Sequence, residues 1–131
     1  MWIMLNNRPF DLSKMDGVSG VIRVTPKLIK DDLGKENAQL NIFNSFDESK
    51  RTKIYDSIKT KNFDETLGYF FFLKERIFIQ RYLNSASNGI CQRQSFILSK
   101  IYESEEAAQT ALEHFLFEIN GILSNLPKIN I

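Results

Sequence analysis

A chain of 131 residues, 43% apolar and 25% charged, has a globular composition, long enough to bury roughly two-thirds of its unfolded surface; a disordered or fibrous chain is excluded. A single cysteine excludes an internal disulfide framework, and a net charge of +1 decides nothing about nucleic acid for the chain as a whole. No apolar run approaches the ~20 residues of a spanning helix, and Met1-Trp2-Ile3-Met4-Leu5 lacks the basic lead-in and the ~7–15-residue apolar core of a secretory leader. The expectation is a cytoplasmic protein with no membrane-spanning part.

In chain order, Ile3-Met4-Leu5 and Phe10-Asp11-Leu12 flank Asn6-Asn7-Arg8-Pro9. That is a turn signal, because asparagine tolerates positive φ and proline fixes its own, and it predicts a small N-terminal hairpin. Val18, Ile22 and Val24 alternate with Ser19, Val21 and Arg23, the pattern of one strand from Gly17 to Val24 that Thr25-Pro26 ends. The charged stretch from Lys27 to Asn37 reads as an exposed, mobile loop. Ala38, Leu40 and Ile42 alternate with Gln39 and Asn41 as a further strand. Ser45 and Glu48 have the spacing of a capping box, which starts a helix carrying Ile54, Tyr55 and Ile58 on a thin apolar stripe.

The densest apolar stretch follows. Leu67 to Leu73, with its run Phe70-Phe71-Phe72, and Arg76 to Leu83 read as two central strands separated by Lys74-Glu75, and so many apolar side chains require burial on at least one face. The polar loop Asn84 to Gly89 leads to a third strand from Ile90 to Ser99. Ser104 caps the last helix, and Ala108, Ala111, Leu112, Phe115, Ile119 and Ile122 recur at helical spacing, with Leu116 and Leu123 on the flank. Gly121, or at the latest Asn125-Leu126-Pro127, ends it. The fold class is α+β, an antiparallel β-sheet with two α-helices in a single domain over residues 1–131. Strands followed by a helix occur in both 1–62 and 63–131, the pattern of an internal duplication.

Charge is unevenly spread. Residues 1–62 carry eleven Lys/Arg against eight Asp/Glu, and residues 63–131 carry six against eight. Lys74, Arg76, Arg81, Arg93 and Lys100 make the central strands basic, whereas Glu103, Glu105, Glu106, Glu113 and Glu118 make the last helix acidic.

The residues that carry chemistry are few. His114 is the sole histidine and lies one turn from Glu118, which suits an edge contact on the helix more than a general base. Cys91 falls in an expected strand with no base beside it and reads as a packed side chain. Glu48-Ser49-Lys50 has the acid-x-lysine spacing of some metal-dependent nucleases, but the capping box accounts for Glu48. No Gly-rich phosphate loop, His-Glu-x-x-His or Cys-x-x-Cys occurs. No catalytic, cofactor-binding or metal-ligating set is assigned.

Two surfaces remain. If the last helix covers Ile77, Ile79 and Leu83, then Arg76, Phe78, Gln80 and Tyr82 face away from it, because strand side chains alternate. With Arg93 they would make an aromatic and basic face able to stack bases or to dock a protein, unless Phe78 and Tyr82 are the second side of a sandwiched core. Phe117 falls on the polar side of the last helix with Thr110, Glu113 and Asn120, and with the apolar tail Leu126, Ile129 and Ile131 it forms a second patch with an acidic rim. The expected function is a non-enzymatic protein-binding module, of the inhibitor, immunity or adaptor kind, whose partner is another protein or a copy of itself. The alternative is a single-stranded nucleic-acid binder using the basic aromatic strands.

Overall fold

The computed structural model describes residues 2–35, 39–81, 89–120 and 128–129. The chain opens with the expected hairpin, in which β1 (Trp2–Leu5) and β2 (Arg8–Asp11) pair antiparallel from Trp2↔Asp11 to Leu5↔Arg8. Asn6 and Asn7 connect them at φ 50° and 60°. Two left-handed residues give the turn whose twist matches a hairpin. Arg8 and Pro9 therefore belong to the strand and not to the turn, and a two-stranded ribbon gives the proline an edge to occupy.

Next come β3 (Met15–Ser19) and β4 (Ile22–Val24). The alternation that reads as one strand is interrupted at Gly20-Val21, and the facing chain is interrupted too. There β5 (Gly68–Phe70) pairs with β4 and β6 (Phe72–Arg81) pairs with β3, leaving Phe71 between them. The central ribbon breaks at Phe71 and not at Lys74-Glu75, which lie inside β6. Two serine hydroxyls accept the amides at this break: Ser99 Oγ from Phe71 N at 3.0 Å and Ser19 Oγ from Phe72 N at 2.9 Å. Both serines are buried, and each hydroxyl donates onward to a carbonyl, that of Gly20 or of Lys100.

The main sheet has the order β7–β6–β3–β8. β7 (Gly89–Leu98) runs antiparallel to β6 from Phe72↔Leu98 to Arg81↔Gly89, and β8 (Lys128–Ile129) runs parallel to β3. Pleating then divides three consecutive phenylalanines, all buried, between two cores. Phe71 joins Leu73, Ile97, Phe10, Leu12 and Val18 against the apolar stripe of the last helix, Leu112, Phe115 and Ile119. Phe70 and Phe72 join Leu98, Val24, Ile29, Ile42, Phe46 and Ile54 on the other side. The last helix spans Glu105–Asn120 and starts where expected, with Ser104 Oγ accepting from Ala107 N at 3.1 Å.

Between β4 and β5 the structure departs from the expectation. The stretch expected to be a mobile loop contains α1 (Pro26–Leu33), started by Thr25 Oγ1, which accepts from Leu28 N at 3.2 Å, with Pro26 in the first turn. Proline ends a strand and begins a helix equally well, because both leave its missing N–H unused. Of the strand expected around Leu40 and Ile42, Ala38 lies outside the described residues, and Ile42–Ser45 is a 3-10 turn. The amides that a neighbouring strand would have met go instead to the buried Asp32 carboxylate, from Leu40 N at 2.7 Å and Ile42 N at 3.2 Å. α2 (Glu48–Lys59) is capped by Asp47 and not by Ser45, with Lys50 N donating to Asp47 Oδ1 at 2.9 Å. The Glu105–Asn120 helix is thus α3, and the helices number three among the described residues. No duplicated unit is shown, since the strands of the two stretches pair with one another, β3 with β6 and β4 with β5.

Ser99→Ala leaves the buried Phe71 N–H without its acceptor and is expected to cost ~1–3 kcal/mol. Urea unfolding should show a lower midpoint with an unchanged slope. A second expectation concerns pH. The Lys50 amide and the Ser49 hydroxyl hold the Asp47 carboxyl below its ordinary 3.8. A carboxyl whose value is lowered on folding stabilises fully above its unfolded value and loses that contribution as pH falls through the lowered one. The Lys50 amide resonance should therefore move toward its unfolded position in acid with a midpoint below 3.8, and should not do so in Asp47→Asn, whose side chain caps while uncharged.

Candidate interaction surfaces

The row of β6 that begins with the buried Phe72 continues with Lys74 and Arg76, whose side chains are 23% and 47% exposed. A bulge in β3 between Met15 and Gly17 gives Asp16 to this row. Asp16 Oδ1 lies 2.6 Å from Arg76 Nη2, and its Oδ2 lies 3.7 Å from Lys74 Nζ. One carboxylate bridges two cations, so the basic face is half-neutralised from within. Phe78 and Gln80 follow in the same row with side chains outside the described residues, and Tyr82 lies outside them altogether. The register sets Arg93 opposite Ile77, in the alternate row, whereas Gln94 is the residue opposite Arg76. Arg76 and Arg93 are thus not brought into one row.

On α3, Ala108, Leu112, Phe115 and Ile119 turn inward. Phe117 is 80% exposed. Around it Glu113, His114 and Glu118 are exposed, with Gln109 Nε2 donating to Glu113 Oε1 at 3.2 Å and His114 Nε2 lying 3.1 Å from Glu118 Oε1. His114 is thus in the edge contact expected of it. No Lys or Arg occurs between Ile101 and Pro127, so His114 is the one basic side chain beside the acids of this helix. Of the apolar tail, Leu126 and Ile131 lie outside the described residues, and Ile129 belongs to β8 beside Ser19 of β3.

Two features escape a reading of the sequence. The first is a cleft of about 190 Å³ between α2 and the stretch that leads into β5. Phe46, Ile54 and Leu67 floor it, and Lys50, Lys53, Ser57, Glu65 and Thr66 form its rim. Ser57 Oγ donates to Glu65 Oε2 at 3.3 Å, and Arg23 Nη1 donates to Thr66 Oγ1 at 3.0 Å. Its walls come from stretches separated along the chain, so no local pattern announces it. The second is the outer side of the β1–β2 hairpin, where Trp2 and Met4 are 66% and 63% exposed. Their period-two alternation with the inward Ile3 and Leu5 was the available signal.

Among the described residues, no three His, Cys, Asp or Glu side chains gather where one metal ion could be held, and no helix is long and apolar enough to cross a membrane. Cys91 sits in β7 opposite Ile79, with its side chain outside the described residues. Compared with protein-family models, curated proteins and solved structures, the chain matches none of them.

Asp16→Asn should release Lys74 and Arg76 to solvent. Half-exposed pairs of this kind contribute at most ~1 kcal/mol to stability, so unfolding should move little. Elution from immobilised heparin should shift to higher salt by more than in Asp56→Asn, which adds the same charge on α2.

Proposed function

We propose that this chain is a non-enzymatic protein-binding module, an inhibitor, immunity-type or adaptor protein of the cytoplasm, that docks a partner through the exposed face of α3. The observation that carries this reading is Phe117, 80% exposed on a helix whose other large apolar residues are turned inward or packed on the flank. A phenyl ring in water contributes nothing to the fold and gains on burial against a partner. Glu113 and Glu118 bracket it and select a partner of positive surface, first by drawing it in and then by opposing like charge. A lone cysteine with no second one to pair with is ordinary for a protein kept in a reducing compartment.

The bridging of Lys74 and Arg76 by Asp16 favours this reading over single-stranded nucleic-acid binding. Phosphates approaching that row would have to compete with a carboxylate already in place, and the exposed acids of α3 repel them. Affinity capture with the wild-type chain and with Phe117→Glu tests the proposal. The variant should lose a bound protein while its unfolding free energy stays within ~0.5 kcal/mol of the wild type, as exposed substitutions do. An identical set of captured proteins for both chains would remove α3 as the docking face.

A further inference from the structure

We infer that a second copy of this chain is a partner of the α3 face, Phe117 of one molecule seating in the α2 cleft of the next. The inference rests on the protein-binding reading of Phe117 and names its occupant. A cavity of about 150 Å³ suffices for benzene, and the cleft offers about 190 Å³ over a floor of Phe46, Ile54 and Leu67, of which the first two are buried. The ring fits the space, and its surroundings fit the rim. Lys50 and Lys53 stand exposed at the cleft, and no described carboxylate lies in ion-pair contact with either. Glu113 stands exposed one helical turn from Phe117, accepting from Gln109, and Glu118 is exposed as the next residue along the helix, in contact with His114. The one acid of the rim, Glu65, is bonded to Ser57 and is outnumbered by the two lysines. Two ammonium groups around an apolar hole thus meet a helix face that carries an apolar knob and exposed carboxylates.

Within one molecule the two cannot meet. α3 closes the core that holds Phe71, and α2 closes the core that holds Phe70 and Phe72, on the opposite side of the central ribbon. Knob and hole are different patches of the surface, so the contact is heterologous and joins copies head to tail. One ring and two ion pairs make a small interface, so association is weak and concentration-dependent, and added salt loosens it by screening the exposed pairs.

Sedimentation velocity over a concentration series tests this with three full-length chains. The wild type should sediment faster as concentration rises, and Phe117→Ala should raise the concentration required by about tenfold or more. Phe117→Glu loses the knob and keeps the hole, whereas the double variant Lys50→Glu with Lys53→Glu loses the hole and keeps the knob. Each alone should remain monomeric with wild-type circular dichroism, and their equimolar mixture should form a one-to-one dimer and nothing larger. A wild type that stays monomeric throughout, or a mixture that leaves both variants monomeric, would overturn the second-copy contact. If Phe117→Glu still releases a foreign protein that a monomeric wild type captures, the protein-binding reading survives and this inference alone falls.

Discussion

The structure depends on two hydroxyls in the interior. Phe70, Phe71 and Phe72 are consecutive and all buried, so the strand carrying them needs a core on each side. The chain meets that need by changing sheets between β5 and β6, and the change places backbone amides in the dry interior, where an unmet donor costs ~1–3 kcal/mol. Ser19 and Ser99 receive those amides, and Ser99 N in turn donates to Phe71 O at 2.8 Å. The end of β3, the start of β6 and the residue after β7 are thereby tied at one point. Just upstream, Gly68 lies at φ +150°, and a Cβ there would collide with Ile101 Cγ2. That close approach lets the segment at Tyr102 exchange two backbone hydrogen bonds with Tyr69 and extend β5 by one bridge.

What was legible in the sequence was periodic or local. The stripe through Ala108, Leu112, Phe115 and Ile119 specifies α3 because it repeats over three turns, and Asn6-Asn7 specifies a hairpin because few residues accept φ near 50–60°. What was hidden is settled at long range. α1 hides behind its charges, although one of them, Asp32, is buried and satisfied by amides eight and ten residues on. The alternation of Leu40 and Ile42 suggests a strand, but the Asp32 carboxylate removes the reason to pair with one. The interruption at Gly20-Val21 has no local mark, since it follows from the sheet change opposite it.

The same division governs the surfaces. Phe117 was legible because one aromatic stands alone on the polar side of a regular helix. Arg93 was grouped with the row of Arg76, Phe78 and Gln80 only while the pairing of the two strands was unknown, and the register assigns it to the row of Ile77. Asp16 could not be anticipated beside Arg76, because a bulge shifts which residues of a strand stand opposite one another.

The charges engaged within the fold are distinct from those on which the proposed docking rests. The cations of the central sheet, Lys74 and Arg76, are held by Asp16, and Asp32 and Asp47 are occupied with backbone amides. Each of these charges already has a partner within the molecule. Lys50, Lys53, Glu113 and Glu118 do no comparable work inside the fold, and Phe117 belongs to neither core. These side chains are therefore where charge and shape can change without loss of the fold. The basic ones border an apolar cleft and the acidic ones stand on the helix that exposes Phe117, and the proposed contact between copies draws on these side chains alone.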